Sequence, residues 1–358
     1  LTPATYRALP GWADDRQGEA INALQRSCTR LLAQSDEMTL GPNAMAGRVA
    51  DWRIGCTAVL AADPQDHGAA RGLIERHFTP FAAADNDAPI GLFTGYYEPE
   101  LRGSITKDGR YTVPLYGRPA DLITVDLGLF RPEWRGQHVA GRVDGSSLRP
   151  YAARAEIEAG ALAQRANPVV WVDDAVDAFF LHIQGSGRVV LDDGRMLRVG
   201  YAAQNGHPYV AIGRELVARG AMAREDVSMQ SIRAWLKAHP AEMAAVMNAN
   251  PSYVFFRPLD GDGPFGSEGV VLTPGRSLAV DRNFLALGLP IWLDVEDPLD
   301  RTTPLRRLVV AQDTGGAIRG PVRGDLFWGH GAEAAERAGR MRSQGRYWLL
   351  VPNPVAAR

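Results

Sequence analysis

The sequence predicts a mainly β protein with a helical N-terminal part, and three observations support this fold class. Apolar residues recur at helical spacing through the first eighty residues. From Pro89 onward the chain changes to short β-rich runs that are separated by Gly and Pro. Because these runs do not alternate regularly with helices, a barrel or a sandwich is favoured over a doubly wound sheet.

Two amphipathic helices are predicted near the N-terminus. Their apolar stripes consist of Ile21, Leu24, Cys28, Leu31 and Leu32 in the first helix and of Val49, Trp52, Cys56, Val59 and Leu60 in the second. Cys28 and Cys56 are the two cysteines of the chain, and each lies on one of these stripes. The residues alone leave two alternatives, which are a pair of buried thiols and a disulfide.

The later elements follow from turn residues and apolar runs. Strands are predicted at residues 90–97, 111–116, 122–125, 169–172, 179–183 and 189–191, and around Val270, Leu278, Ile291, Val309 and Tyr347. Asp192, Asp193 and Gly194 predict a hairpin that leads into residues 196–199, because Gly tolerates the positive φ of such turns. Helices are predicted at residues 208–219, at 228–238 before Pro240, and at 333–341.

Length and composition exclude several classes of protein. The 358 residues are 46% hydrophobic and 22% charged, which is unlike a disordered, collagenous or coiled-coil chain. This length predicts two domains, or one large domain with an insertion. With 39 basic and 41 acidic residues the net charge is -2, so we expect no nucleic-acid partner. No run approaches the roughly 18 apolar residues of a membrane helix.

Three motifs that suggest other chemistry lack the context they need. Residues 261–266 match G-x-G-x-x-G, but no helix opens inside the match, so a nucleotide site is not expected. The seven histidines are scattered without zinc spacing, so no metal is expected. A hydrolase nucleophile elbow requires Gly two residues before the Ser, but Gln184 occupies that position before Ser186, so a nucleophile elbow is not expected here. We therefore expect no cofactor.

Three aspartates lie at the ends of apolar strands near the C-terminus. Asp313 follows the apolar run 308–311, Asp325 comes twelve residues later, and Asp281 closes another run. Unpaired carboxylates are costly there, which indicates a chemical use, although each one alone is compatible with a turn cap. We expect a hairpin across residues 315–320 to bring Asp313 and Asp325 together and raise a carboxyl pKa, as a general acid requires.

Aromatic residues beside turn residues indicate a surface for sugar rings. Tyr96 and Tyr97 lie within the segment 95–99, and Tyr253 lies within 250–256. The alternative is that these rings belong to strands and face a core.

These residues carry a family resemblance. Phe93-Thr94-Gly95-Tyr96-Tyr97, His182-Ile183-Gln184-Gly185-Ser186-Gly187, Asn250-Pro251-Ser252-Tyr253 and Asp313-Thr314-Gly315-Gly316-Ala317-Ile318, with Asp281 and Asp325, resemble the membrane-bound lytic murein transglycosylase A (MltA) family. The resemblance runs from about residue 91 to 351. It implies a double-psi β-barrel domain, with the three-aspartate (3D) segment, from residues 1–99 and 257–358. A second β-barrel domain, residues 100–256, is inserted in it, and a groove between the two binds a glycan strand.

The resemblance also implies the reaction and the roles of the site residues. Family members cleave the β-1,4 bond between N-acetylmuramic acid and N-acetylglucosamine in peptidoglycan and leave a 1,6-anhydromuramoyl end without using water. Asp325 matches the single catalytic acid/base, Asp313 matches its carboxylate neighbour, and Asp281 has a supporting role. The substrate-binding candidates are Tyr96, Tyr97, Gln184, Ser186 and Tyr253.

The same resemblance implies a location and partners. We expect a periplasmic monomer that binds peptidoglycan glycan strands, with complexes of cell-wall enzymes and attachment to the outer membrane left open. Family members are anchored by a lipidated N-terminal cysteine, and neither Cys28 nor Cys56 is placed for that role, so the anchor is not expected in this chain. The chain begins at Leu1 without a leader, which indicates a processed or truncated N-terminus. In the oxidising periplasm a Cys28–Cys56 disulfide is favoured.

Two alternatives stay open. One is a non-catalytic glycan-binding cell-wall protein on the same fold, because fold alone does not establish chemistry. The other is a true β-glucan hydrolase, which needs a second catalytic carboxylate facing Asp325.

Overall fold

The computed structural model describes residues 1–134, 137–162, 164–261 and 263–357. The chain is mainly β with helices, which confirms the predicted class at that level. It divides into two compact units. The first contains Leu1–Tyr97 and Asp262–Arg358, and the second contains Glu98–Gly261. Asp262, which belongs to the G-x-G-x-x-G match, lies outside the described residues.

Helices and strands occur in both units. The helices are α1 (Gly18–Leu32), α2 (Val49–Leu60), α3 (His67–His77), α4 (Arg154–Glu156), α5 (Ala175–Gln184), α6 (Ile212–Ala218), α7 (Met229–Ala238), α8 (Pro240–Asn248), α9 (Gly331–Arg340) and α10 (Asn353–Ala356). The strands are β1 (Thr2–Pro3), β2 (Phe78–Ala82), β3 (Gly91–Glu98), β4 (Glu100–Ser104), β5 (Val113–Tyr116), β6 (Ile123–Asp126), β7 (His138–Asp144), β8 (Ser147–Pro150), β9 (Pro168–Val172), β10 (Ser186–Leu191), β11 (Met196–Gln204), β12 (Val254–Leu259), β13 (Ser277–Ala279), β14 (Pro290–Glu296), β15 (Pro304–Asp313), β16 (Arg323–His330) and β17 (Arg342–Pro352). None of the helices in the described ranges is long and apolar enough to cross a membrane.

The N-terminal helices of the first unit pack as their periodicity predicts. The predicted stripe residues Ile21, Leu24 and Cys28 of α1 are buried, as are Trp52 and Cys56 of α2. A disulfide joins Cys28 to Cys56, which confirms the bridge expected from the family resemblance. These helices share one apolar core with the sheet of the first unit.

The sheet of the first unit is built from strands that are distant in sequence. Its strand order is β1-β2-β17-β14-β15-β13-β16-β3, and β17 also pairs with β3. β13 runs parallel to β15 and antiparallel to β16. The last two strands of the chain, β16 and β17, therefore both pair with β3, which follows the N-terminal helices.

The second unit has two sheets and a helical layer. One sheet has the order β12-β11-β10-β4-β9-β5, and the other has the order β6-β7-β8. The predicted hairpin is confirmed, because Val190 of β10 pairs with Met196 of β11. Glu98 is buried at the start of this unit and forms ion pairs with Arg188 at 2.7 Å and with Arg198 at 2.8 Å.

The segment 179–183 was predicted as a strand and is instead the centre of α5. The Asp174 carboxylate accepts hydrogen bonds from the N–H groups of Val176 and Asp177 and so caps the helix. Gly185 ends it with φ at 78°. Most side chains of the run are buried, although Ile183 is exposed, and in so short an apolar run periodicity did not separate a buried helix from a strand.

Three other predictions need correction. Pro240 was expected only to end α7, but it is also the first residue of α8, because Pro suits the first turn of a helix. Val270 lies outside the strands, and its neighbour Val271 forms an isolated bridge with Phe265. The helix expected from residue 208 begins at Ile212.

Candidate active site

Asp313 and Asp325 lie on either side of one short strand. β13 separates β15 from β16, and Ala279 of β13 is the cross-strand partner of both aspartates. Partners on neighbouring strands present their side chains on the same face of a sheet, so the two carboxyls share a face. The predicted hairpin that joins them directly is therefore wrong, because a strand from residues 277–279 is inserted between them.

Asp325 is a partly buried carboxyl. The Thr94 hydroxyl donates a hydrogen bond of 2.6 Å to its Oδ1, and Arg323 Nη2 donates to the Thr94 hydroxyl at 2.9 Å. Burial raises the pKa of Asp325, and the negative charge of Asp313 adds a smaller rise. The hydrogen bond from Thr94 and the charge of Arg323 act in the opposite direction without cancelling the rise.

Asp313 is a carboxylate that four donors hold in place. Its Oδ2 accepts a hydrogen bond of 2.8 Å from the Tyr96 hydroxyl. Its Oδ1 accepts from the N–H and the hydroxyl of Ser267, at 2.8 and 2.9 Å, and from the Thr314 N–H at 2.8 Å. These contacts fix the orientation of Asp313 beside Asp325.

Tyr96 joins the site from β3. Burial raises the phenol pKa well above its usual value, and the charge of Asp313 raises it further, so the hydroxyl remains a donor. Its ring lies 5.2 Å from that of Phe327 on β16. Gly95 allows β3 to lie close to Trp328 of β16, because a Cβ there would lie 2.6 Å from Trp328 Nε1.

Asp281 has a different environment from the other two aspartates. Its Oδ2 accepts a hydrogen bond of 2.9 Å from the Gly320 N–H, and its Oδ1 accepts from the N–H and the amide of Asn283. Burial acts to raise its pKa, but these bonds and the charge of Arg319 outweigh it, and the pKa is lowered. Asp281 therefore holds the loop before β16.

Three residues of this site were missed in the sequence. Thr94 precedes Tyr96 by two residues on a strand, and this spacing was the available signal that both side chains share a face. Arg323 precedes Asp325 by two residues on β16 in the same way. Ser267 lies in a turn, and nothing in its local sequence indicated its contact with Asp313.

No group of three or more His, Cys, Asp or Glu side chains within the described ranges is arranged to hold a metal ion. The chemistry that this arrangement offers is proton transfer by a carboxyl of raised pKa beside an oriented carboxylate.

Known families match this chain in two consecutive segments. Residues 92–257 match the MltA specific insert domain, and residues 276–351 match the 3D domain. The membrane-bound lytic murein transglycosylase A of Escherichia coli strain K12 is 35% identical over 280 residues, which cover 76% of this chain and 68% of that protein. This chain belongs to the membrane-bound lytic murein transglycosylase A family. The resemblance inferred from the motifs is confirmed.

Solved MltA structures share the fold of this family member. The crystal structure of MltA from Neisseria gonorrhoeae is similar with a TM-score of 0.85 and 34% identity, covering 98% of this chain and 90% of that one. The structure of E. coli MltA with bound chitohexaose is similar with a TM-score of 0.70 and 28% identity, covering 98% of this chain and 91% of that one.

Two of the MltA-type substrate-binding candidates have buried rings. Tyr253 is 2% exposed, and its ring packs 4.2 Å from the His182 ring. Tyr97 is 7% exposed. A buried ring does not stack on a sugar, so these positions contradict the groove role expected for Tyr253 and Tyr97. Gln184 and Ser186, at the junction of α5 and β10, are partly exposed.

Within the second-unit motifs of this MltA family member, His182 and Tyr253 are buried and act in packing. Burial lowers the pKa of His182 well below its usual value, and the charge of Arg154 lowers it further. The Nδ1 atom of His182 accepts a hydrogen bond from the Val254 N–H. Arg154 donates to the carbonyls of Asn250 and Ser252. These motif residues therefore contribute to the core of the second unit.

Proposed function

We propose that this chain is a lytic transglycosylase that cleaves the β-1,4 bond between N-acetylmuramic acid and N-acetylglucosamine in peptidoglycan. In this proposal Asp325 is the single acid/base, and the product carries a 1,6-anhydromuramoyl end. The observation that carries the proposal is the raised pKa of Asp325 in a site where Asp313 and Tyr96 are fixed beside it.

The first step requires a protonated Asp325. Its carboxyl donates a proton to the glycosidic oxygen, and the bond between that oxygen and C1 of the muramoyl residue breaks. Burial keeps a proton on Asp325 at a higher pH than on a free aspartate, which supports this role. Arg323 donates to the Thr94 hydroxyl, which in turn donates to Asp325. Thr94 therefore orients the Asp325 carboxyl while Asp325 changes its charge.

The second step uses the same group as a base. The Asp325 carboxylate takes the proton of the muramoyl 6-hydroxyl while O6 bonds to C1, so Asp325 regains its proton and no water is consumed. Glycosidases that use water require a second carboxyl as base or nucleophile. Asp313 is committed to four donors, which supports a positioning role for it.

The glycan substrate is supported by the relatives. E. coli MltA has been solved with bound chitohexaose, a β-linked sugar chain. We assign Tyr96, Gln184 and Ser186 as substrate-binding residues, since they are partly exposed.

We also take the first unit to contain the double-psi barrel, which is supported by the pairing of β17 with both β14 and β3.

The proposed location is the periplasm. A Cys28–Cys56 disulfide is typical of oxidising compartments, and the relatives are named as membrane-bound proteins.

Digestion of purified peptidoglycan in heavy-oxygen water tests the mechanism. We expect muropeptides that are one water lighter than hydrolysis products and that carry no heavy oxygen, as measured by mass spectrometry. Asp325→Asn serves as the inactive control.

Each alternative gives a different result in this assay. Reducing muramoyl ends that contain heavy oxygen would identify a hydrolase. Binding of the glycan without release of soluble fragments would identify a non-catalytic glycan-binding protein. Either result would refute the proposed reaction.

A further inference from the structure

Glu268 is a buried carboxyl beside the residues that hold Asp313. It is fully buried, and it follows Ser267, which donates two hydrogen bonds to Asp313. The Glu268 N–H donates to the Gln312 carbonyl at 3.0 Å, and Gln312 precedes Asp313 in β15. Ser267 therefore contacts Asp313, and the backbone of the next residue, Glu268, contacts β15.

A buried polar network surrounds the Glu268 side chain. Ser27 of α1 donates a hydrogen bond of 2.7 Å to Glu268 Oε2. Gln312 Nε2 donates to Ser27 Oγ and to the Ala23 carbonyl, each at 2.9 Å. Ser277 of β13 donates to Gln312 Oε1 at 2.6 Å. This network joins α1, β13 and β15 to the turn that carries Ser267.

The turn itself is tight. The Gly269 N–H donates to the Gly266 carbonyl at 2.8 Å, and Gly269 has a positive φ of 84°. A Cβ at Gly266 would lie 2.3 Å from the Gln312 carbonyl oxygen. Close packing of this kind makes the position of Ser267 sensitive to the side chain that follows it.

We propose that Glu268 is a positioning residue of the active site, which holds the 266–269 turn so that Ser267 fixes the Asp313 carboxylate. This inference rests on the proposed function. Glu268 acts through Ser267 and does not touch the substrate.

The surroundings of Glu268 favour its neutral form. Its Oε1 is buried without a hydrogen-bond partner in the described structure. Arg30 on α1 is a charged group that faces it, while β15 presents the neutral Gln312. Burial raises the pKa of Glu268 to about 7, against the opposing effects of Ser27, Arg30 and Gln312. Ionisation therefore places in the buried network a charge that Ser27, Arg30 and Gln312 compensate only in part.

A double-mutant cycle tests the coupling. Ser267→Ala and Glu268→Ala are each expected to lower the rate of peptidoglycan cleavage, by up to the ~10²-fold that a misplacement of about 1 Å can cause. The double variant should be no slower than Glu268→Ala, because Glu268→Ala already displaces the Ser267 hydroxyl that Ser267→Ala removes. Rates that multiply in the double variant would overturn the proposal.

Conservative variants separate positioning from general destabilisation. Glu268→Gln keeps the shape and should restore most of the rate that Glu268→Ala loses. Glu225→Gln, an exposed residue of the second unit, is the matched control and should leave the rate unchanged. Glu268→Gln with a rate as low as Glu268→Ala would contradict the proposal.

A measurement without catalysis completes the test. The raised pKa predicts that the wild-type melting temperature falls as pH rises from about 5 to about 8, because the unfolded carboxyl loses its proton first. Glu268→Gln should flatten this fall, and Glu225→Gln should not. An unchanged fall in Glu268→Gln would refute the buried neutral carboxyl. Failure of the wild-type chain to cleave peptidoglycan would instead refute the proposed function, and the melting data would still decide the state of Glu268.

Discussion

Asp313 and Asp325 share a face of the sheet because each is the cross-strand partner of Ala279. Their environments differ although their positions are related. Asp313 accepts four hydrogen bonds, whereas Asp325 is partly buried and has a raised pKa. Two carboxyls in unlike environments have different chemical roles, which is the basis of the assignment proposed here.

Asp325→Asn should abolish most of the cleavage activity. Asn keeps the shape of the side chain but does not transfer a proton, so we expect a fall of ~10²–10⁴-fold in rate. Glycan binding and melting temperature should change little, and both are measured on the same preparation. A variant that keeps more than about a tenth of the wild-type rate would remove Asp325 from the acid/base role.

The high-pH limb of the rate profile should follow the pKa of Asp325. Thr94→Val removes a hydrogen bond that lowers this pKa, so the limb should move to higher pH. Asp313→Asn removes a negative charge that raises it, so the limb should move to lower pH while turnover persists. Rates of peptidoglycan cleavage across pH measure both shifts. If the high-pH limb moved in the same direction in both variants, the electrostatic account of the Asp325 pKa would be contradicted.

Asp281→Asn should destabilise the first unit. It replaces an oxygen that accepts from Gly320 or Asn283, and we expect a loss of about 1–3 kcal/mol in the free energy of unfolding. Because the folded pKa is lowered, the contribution is present above the unfolded value of about 4 and is lost as pH falls. Denaturant unfolding at neutral and acidic pH measures this difference. The exposed Asp87→Asn is the control, and equal losses in both variants would count against the role of Asp281.

Removal of the disulfide should lower stability without touching the site. Cys28 and Cys56 are 28 residues apart, and a bridge of this kind typically contributes roughly 2–4 kcal/mol. The double variant with Ser at both positions should therefore melt at a lower temperature than the oxidised wild type. Reduced wild type should melt near the variant, and identical melting of all three samples would show that the bridge does not stabilise the fold.

Local sequence patterns determined much of the secondary structure. The apolar spacing of α1 and α2 predicted both helices, because a helix buries one stripe of every turn. The Asp192–Gly194 turn predicted its hairpin, because only a few residues tolerate the required φ. The helix α5 was not predicted, because a short apolar run that is mostly buried shows no clear period.

The sequence also singled out the two aspartates to which we assign the chemistry. Asp313 and Asp325 stood out because a carboxylate at the end of an apolar strand needs a compensating partner. Their motif neighbours carried the family resemblance, which the comparisons confirmed.

Only the tertiary structure decided how these residues meet. β13 lies between β15 and β16, so Ala279 rather than a hairpin brings the two aspartates onto one face. Ser267 and Thr94 contact the carboxyls from segments 46 and 231 residues away. Tyr253 resembles a sugar-binding aromatic in sequence, but it is buried. Local patterns fix which face of an element is apolar, whereas strand order and burial depend on contacts between distant segments that no local window contains.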